Sequence, residues 1–103
     1  MESLKKKLNE SIQNGVEYDP HAITQMNQRN ITSEMVESGL KANNVEFIVP
    51  YKEERLKKAY RVYSNIGKDK MLVTGVFLNG KCRIKTVFII NKRKQKQVFR
   101  WNR

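Results

Sequence analysis

One cysteine and one histidine stand in this chain of 103 residues. The lone thiol, Cys82, excludes an internal disulfide, and one Cys with one His cannot furnish a structural zinc site. The carboxylates are scattered without a cluster, so no metal and no other cofactor is expected. The N-terminus MESLKKKLNE lacks an apolar run of signal-peptide length. No segment approaches the ~20 apolar residues of a membrane span, so no membrane partner is expected. A cytoplasmic protein is the expectation, acting either in its own cell or in a target cell after delivery. Repeats and low-complexity linkers are missing as well, and 1–103 reads as a single domain with one modest core.

The scarcest feature is negative charge in the second half. The chain carries 21 Lys and Arg against 10 Asp and Glu, a formal net charge of +11. Residues 1–50 hold five basic and seven acidic groups, whereas residues 51–103 hold sixteen basic and three acidic. Such a lopsided field favours a polyanion, nucleic acid first and an anionic membrane surface second.

What is present reads as helices followed by strands. Leu4, Leu8 and Ile12 recur at steps of four, the apolar stripe of a helix over residues 2–14 that Asn14-Gly15 stops. After a short extended stretch, Val16 to Tyr18, Asp19 is a good N-cap and Pro20 suits the first helical position, so His21 falls in the first turn. Ala22, Ile23 and Met26 form the buried face of this helix; His21, Gln25 and Gln28 lie on the other, with Arg29 near its end. A third helix opens on Thr32 and turns Met35, Val36 and Leu40 inward, ending at 42–44. From residue 45 the period becomes strand-like: Val45 to Tyr51, Ala59 to Ile66, Met71 to Leu78 and Lys81 to Asn91, with a charged connection over 52–58. Val98 to Trp101 is a candidate short strand within a basic tail. These elements imply an α+β fold, with N-terminal helices packed on one face of a four- to five-stranded antiparallel sheet.

Asn79-Gly80 suits a two-residue type I′ turn. It pairs Leu78 with Lys81 and gives two cross-strand rows, Tyr63-Thr74-Lys85 and Arg61-Val76-Arg83. Tyr60, Val62, Met71, Val73, Phe77, Ile84, Phe88 and Ile90 then face the helices. The opposite face is open, cationic and aromatic, suited to phosphates and an unpaired base. RNA is favoured over duplex DNA, since no helix is both basic and exposed.

The pattern His21-Ala22, Met26, Arg29, Ile31, Val36, followed by the late strand Ile84-Lys85-Thr86-Val87-Phe88, resembles a small toxin-associated domain family of the barnase/EndoU/colicin/RelE-like ribonuclease superfamily. The resemblance covers about residues 18–90, leaving 1–15 as an N-terminal helix extension and 92–103 as a basic tail. It implies helices against an antiparallel sheet, and metal-independent cleavage of RNA. It makes His21, Arg29 and Thr86 functional candidates, with Arg61 as a sheet cation.

Cleavage through the 2′-OH needs a base, cations on the non-bridging oxygens and a proton donor for the leaving 5′-oxygen. A neutral imidazole can accept a proton, so His21 is the candidate base or acid. Arg61 and Lys85 are candidates for the phosphate, Tyr63 for proton transfer or stacking, and Thr86 for orienting. Arg29, Arg83, Lys85, Lys92, Arg93 and Arg100 are the candidate nucleic-acid contacts. One tension remains in this register: Thr86 turns toward the helices while Arg61, Tyr63 and Lys85 face away. Either His21 and Thr86 meet at a rim of the sheet, or a bulge near Gly75 shifts the pairing. The expected partner is RNA, tRNA or mRNA, with an acidic immunity protein or antitoxin able to cover the cationic face. The alternative is a non-catalytic basic RNA- or DNA-binding module, such as a regulator from a phage or mobile element.

Overall fold

In the computed structural model, which describes residues 2–52 and 58–91, helix α1 (Glu2–Asn14) buries one stripe against the sheet. Leu8 is 1% exposed, and Leu4 and Ile12 pack beside it on the same core. Gly15, at φ +136°, ends the helix in a conformation that side chains resist, and the chain enters strand β1 (Val16–Tyr18). Helix α2 (Pro20–Arg29) follows with proline in its first turn and Asn30 as a left-handed C-cap. Helix α3 (Ser33–Gly39) is capped by Thr32, whose hydroxyl accepts from the Met35 amide at 3.1 Å.

The remaining strands are β2 (Val45–Pro50), β3 (Ala59–Asn65), β4 (Lys70–Asn79) and β5 (Lys81–Asn91). The sheet order is β1-β5-β4-β3-β2. The fold is α+β as expected, but the sheet is mixed: β1 joins β5 in parallel, Val16 opposite Cys82 and Tyr18 opposite Ile84. The other pairings are antiparallel. All three helices pack on one face, over Val62, Leu72, Val76, Leu78, Cys82, Ile84 and Val87. Gly39 lets α3 approach closely, since a Cβ there would lie 3.1 Å from Leu72 Cδ2 and 3.3 Å from Ser64 Cβ. On the far face Tyr63, Met71 and Val73 form a second apolar cluster, with Phe47, Val49, Phe88 and Ile90 beside it.

The expected register is corrected by one residue on both sides of β4, and by two against β5 from Gly75 toward the start of β4, where Thr74 meets Val87 and not Lys85. A type I′ turn needs positive φ at Asn79 and Gly80, and only Gly80 has it, at +83°. The hairpin closes around Gly80 with Asn79 opposite Lys81, so Leu78 meets Cys82 and Phe77 meets Arg83. Tyr63 likewise meets Val73, and Arg61 meets Gly75. A one-residue slip turns every side chain of β4 over. Met71, Val73 and Phe77 therefore lie on the far face, while Leu72, Thr74 and Val76 take the helix side. Phe88 and Ile90 also lie on the far face, and Thr74, expected in the open, is fully buried. In α2, Ala22 and Met26 are buried as expected, but Ile23 is 46% exposed because the helix sits at the sheet edge and needs only a narrow stripe. Helix α3 ends at Gly39, short of residues 42–44. Most of the charged connection, 53–57, and the candidate strand Val98 to Trp101 lie outside the described residues.

Candidate functional site

The pairing of β4 with β5 runs Phe77 to Arg83 and Val76 to Ile84, then resumes as Gly75 to Thr86, leaving Lys85 without an opposite residue. This is a β-bulge, and it resolves the tension over Thr86. Beyond it Thr86 joins the far-face row Arg61-Gly75-Thr86. Gly75 keeps the row open. A Cβ there would collide with the Thr86 methyl and lie 2.9 Å from the Tyr51 hydroxyl. Tyr51 reaches this gap from the end of β2, and the Arg61 guanidinium lies 4.9 Å from the centre of its ring. Burial alone lowers the Arg61 pKa, but hydrogen bonding to the Tyr51 and Tyr63 hydroxyls outweighs it, so the net shift is upward. Arg61 is thus a fixed cation, with no carboxylate partner among the described residues.

Beyond the three residues that β1 covers, the outer edge of β5 is met by α2. Gln25 Oε1 accepts from the Thr86 hydroxyl at 2.7 Å and from the Val87 amide at 2.9 Å. Arg29 Nη1 donates to the Val87 carbonyl at 3.2 Å. Both ladder groups of Val87 therefore find side chains of α2 where another strand would otherwise pair. His21, Gln25 and Arg29 follow at steps of four, so they form one stripe along this edge. His21 is exposed and bonded to none of the described residues, and Arg29 keeps an exposed side chain.

Asp19 takes the N-cap position of α2, but its side chain makes no cap hydrogen bond. It pairs instead with Arg83, and Lys85 Nζ stands 4.0 Å from its other oxygen. Two of the candidate cations are thereby partly neutralised by the residue that starts the helix. Lys81 and Glu17 form a further exposed pair at 3.4 Å, worth about 0–1 kcal/mol.

Tyr63 is 4% exposed and stacked on Phe47, ring centres 4.4 Å apart. It cannot serve as an open stacking platform in this position; only its hydroxyl reaches the site, through Arg61. Lys92, Arg93 and Arg100 lie outside the described residues. The structure brings together Thr86, Arg61 and the helix stripe that includes His21. It adds Gln25, Tyr51 and Asp19, which the sequence reading did not single out for chemistry. Gln25 was visible as the middle of the His21-Arg29 stripe, whereas nothing local to Tyr51 announces that it will lean over Gly75. Among the described residues, no group of three His, Cys, Asp or Glu side chains could hold a metal, and no helix is long and apolar enough to cross a membrane. Compared with protein-family models, curated proteins and solved structures, the chain gives no match.

Proposed function

We propose that this protein is a metal-independent endoribonuclease of the toxin type, cutting RNA by attack of a 2′-OH on the adjacent phosphodiester. The observation that supports this best is the bulge at Lys85, which sets Thr86 in line with Arg61 and against the helix stripe carrying His21. His21 takes the 2′-OH proton, the 2′-oxygen bonds to phosphorus, and the bond to the 5′-oxygen breaks, leaving a 2′,3′-cyclic phosphate. The Arg61 guanidinium faces the non-bridging oxygens, where negative charge grows. With its proton committed to Gln25, the Thr86 oxygen is left as an acceptor, the kind of group that orients an imidazole N–H. Tyr51, half-buried beside Arg61, protonates the leaving 5′-oxygen in this reading, a role that burial denies Tyr63. The resemblance to the RelE-like ribonuclease superfamily supports the same reading.

One observation favours a non-catalytic RNA-binding module instead: none of the described residues holds His21 in a fixed orientation. Incubating the purified protein with total RNA and tRNA in excess EDTA separates the two readings. Fragments ending in cyclic phosphate are expected; intact RNA in the presence of salt-sensitive binding overturns the nuclease and leaves the binding module.

A further inference from the structure

We infer that the cleft at the β4-β5 hairpin is a subsite for one unpaired nucleobase, stacked on Phe77 and lying next to the Arg61-Thr86 row. The inference rests on reading this face as an RNA surface, and it adds the position where a base is held.

The cleft measures about 490 Å³, within the ~300–1,000 Å³ range of small-ligand sites, and is open to solvent. It is lined by the half-buried Phe77, whose ring stacks on no other described ring. Arg83 is the direct cross-strand neighbour of Phe77, and Glu17 of β1 stands opposite Arg83. Phe77 follows Gly75 of the Arg61-Gly75-Thr86 row by one same-face step along β4, about 6.6–7 Å, which one nucleotide of an extended strand can bridge. A base on Phe77 therefore leaves its phosphate near Arg61.

The polar rim suits a base edge. Asn14 Nδ2 donates to the Gly80 carbonyl at 2.9 Å, leaving the Asn14 amide oxygen as an acceptor. Asn79 Oδ1 accepts from Lys58 at 3.3 Å, leaving the Asn79 amide N–H groups as donors. One donor and one acceptor beside an aromatic ring are the elements with which proteins hold a splayed base. A paired base cannot enter, because its edge is occupied and its faces are stacked. The ligand class is therefore single-stranded nucleic acid.

The test uses 2′-O-methyl pentaribonucleotides, which cannot be cleaved through a 2′-OH, with an abasic unit placed at each position in turn. Affinities are read by fluorescence anisotropy for wild type, Phe77→Leu and Phe77→Tyr. Phe77→Leu is expected to weaken the intact oligomer about 5- to 100-fold, while Phe77→Tyr keeps its affinity. One abasic position should weaken wild type by a similar factor and cost Phe77→Leu nothing further. Equal binding by Phe77→Leu and wild type, losses that multiply at every abasic position, or no binding by wild type overturns the subsite. Thermal melts of both variants exclude unfolding as the cause, and retained affinity in Phe77→Tyr supplies the folded control. Wild-type cleavage of RNA is measured separately. Cleavage with no Phe77 effect removes the subsite alone. The Phe77-abasic coupling without cleavage supports the subsite and removes only the nuclease.

Discussion

Arg61 and Thr86 stand on either side of Gly75 in one row across three strands, and the gap between them exists because Gly75 has no side chain. Replacing Gly75 with alanine should force Tyr51 and Thr86 apart. Overpacking of this kind costs about 1–3 kcal/mol. The urea midpoint should fall and RNA cleavage with it. A Gly75→Ala protein as stable and active as wild type would show that the row has room for a methyl group.

Gln25 closes the edge of β5 from the side. Gln25→Ala leaves the Val87 amide and the Thr86 hydroxyl without their acceptor, at about 1–3 kcal/mol for an unsatisfied buried group. Thr86→Val removes one hydrogen bond and should cost only about 0.5–1.5 kcal/mol. Hydrogen exchange at the Val87 amide should accelerate in Gln25→Ala and stay near wild type in Thr86→Val. Equal protection in all three proteins would mean that this edge is held by something other than Gln25.

Two buried groups on opposite faces of the sheet should respond in opposite ways. The Thr74 hydroxyl is buried without a partner among the described residues, so Thr74→Val should be neutral or stabilising by up to about 1 kcal/mol. Tyr63→Ala removes a ring stacked on Phe47 and should cost about 3–5 kcal/mol. Tyr63→Phe keeps the packing and should keep most of the activity. Loss of all cleavage in a folded Tyr63→Phe protein would return proton transfer to Tyr63.

Stability should fall at alkaline pH for a specific reason. Burial pushes the Cys82 thiol from 9.0 up to about 12. Between those values the unfolded chain loses the thiol proton while the folded chain keeps it, so stability declines by about 1.4 kcal/mol per pH unit. Tyr18, also raised by burial and by its hydrogen bond to Glu37, adds to the decline mainly above 10.0. In Cys82→Ala most of the decline between pH 9 and 10 should vanish. Urea melts across that range check it, and an unchanged slope would contradict it.

The helices were legible because their signals are local. The stripe of Leu4, Leu8 and Ile12, the Pro20 start and the Thr32 cap each act within one or two turns. Strand β4 was not, because KMLVTGVFLN is apolar on both faces and either register buries a good set. Its register is settled by turn geometry at Gly80, where Asn79 keeps negative φ despite its fitness for the alternative. The parallel pairing of β1 was hidden for a related reason: three residues carry too little pattern to declare a strand. The candidate site was legible in part. His21, Arg29 and Thr86 stand in the pattern that carries the resemblance, and a bulge near Gly75 is one of two ways to bring Thr86 to the face of Arg61. Which residue would lean across that bulge depends on a contact between β2 and β4, two strands that are not neighbours in the sheet, and no local spacing encodes it.

The most direct measurement compares wild type with His21→Ala in single-turnover cleavage of one tRNA in EDTA, alongside thermal melts. His21 is exposed and bonded to none of the described residues, so the melts should coincide. The cleavage rate should drop about 10²- to 10⁴-fold, the usual contribution of a general acid or base. A His21→Ala protein that cuts as fast as wild type would contradict the assignment of His21 as the proton-transfer group.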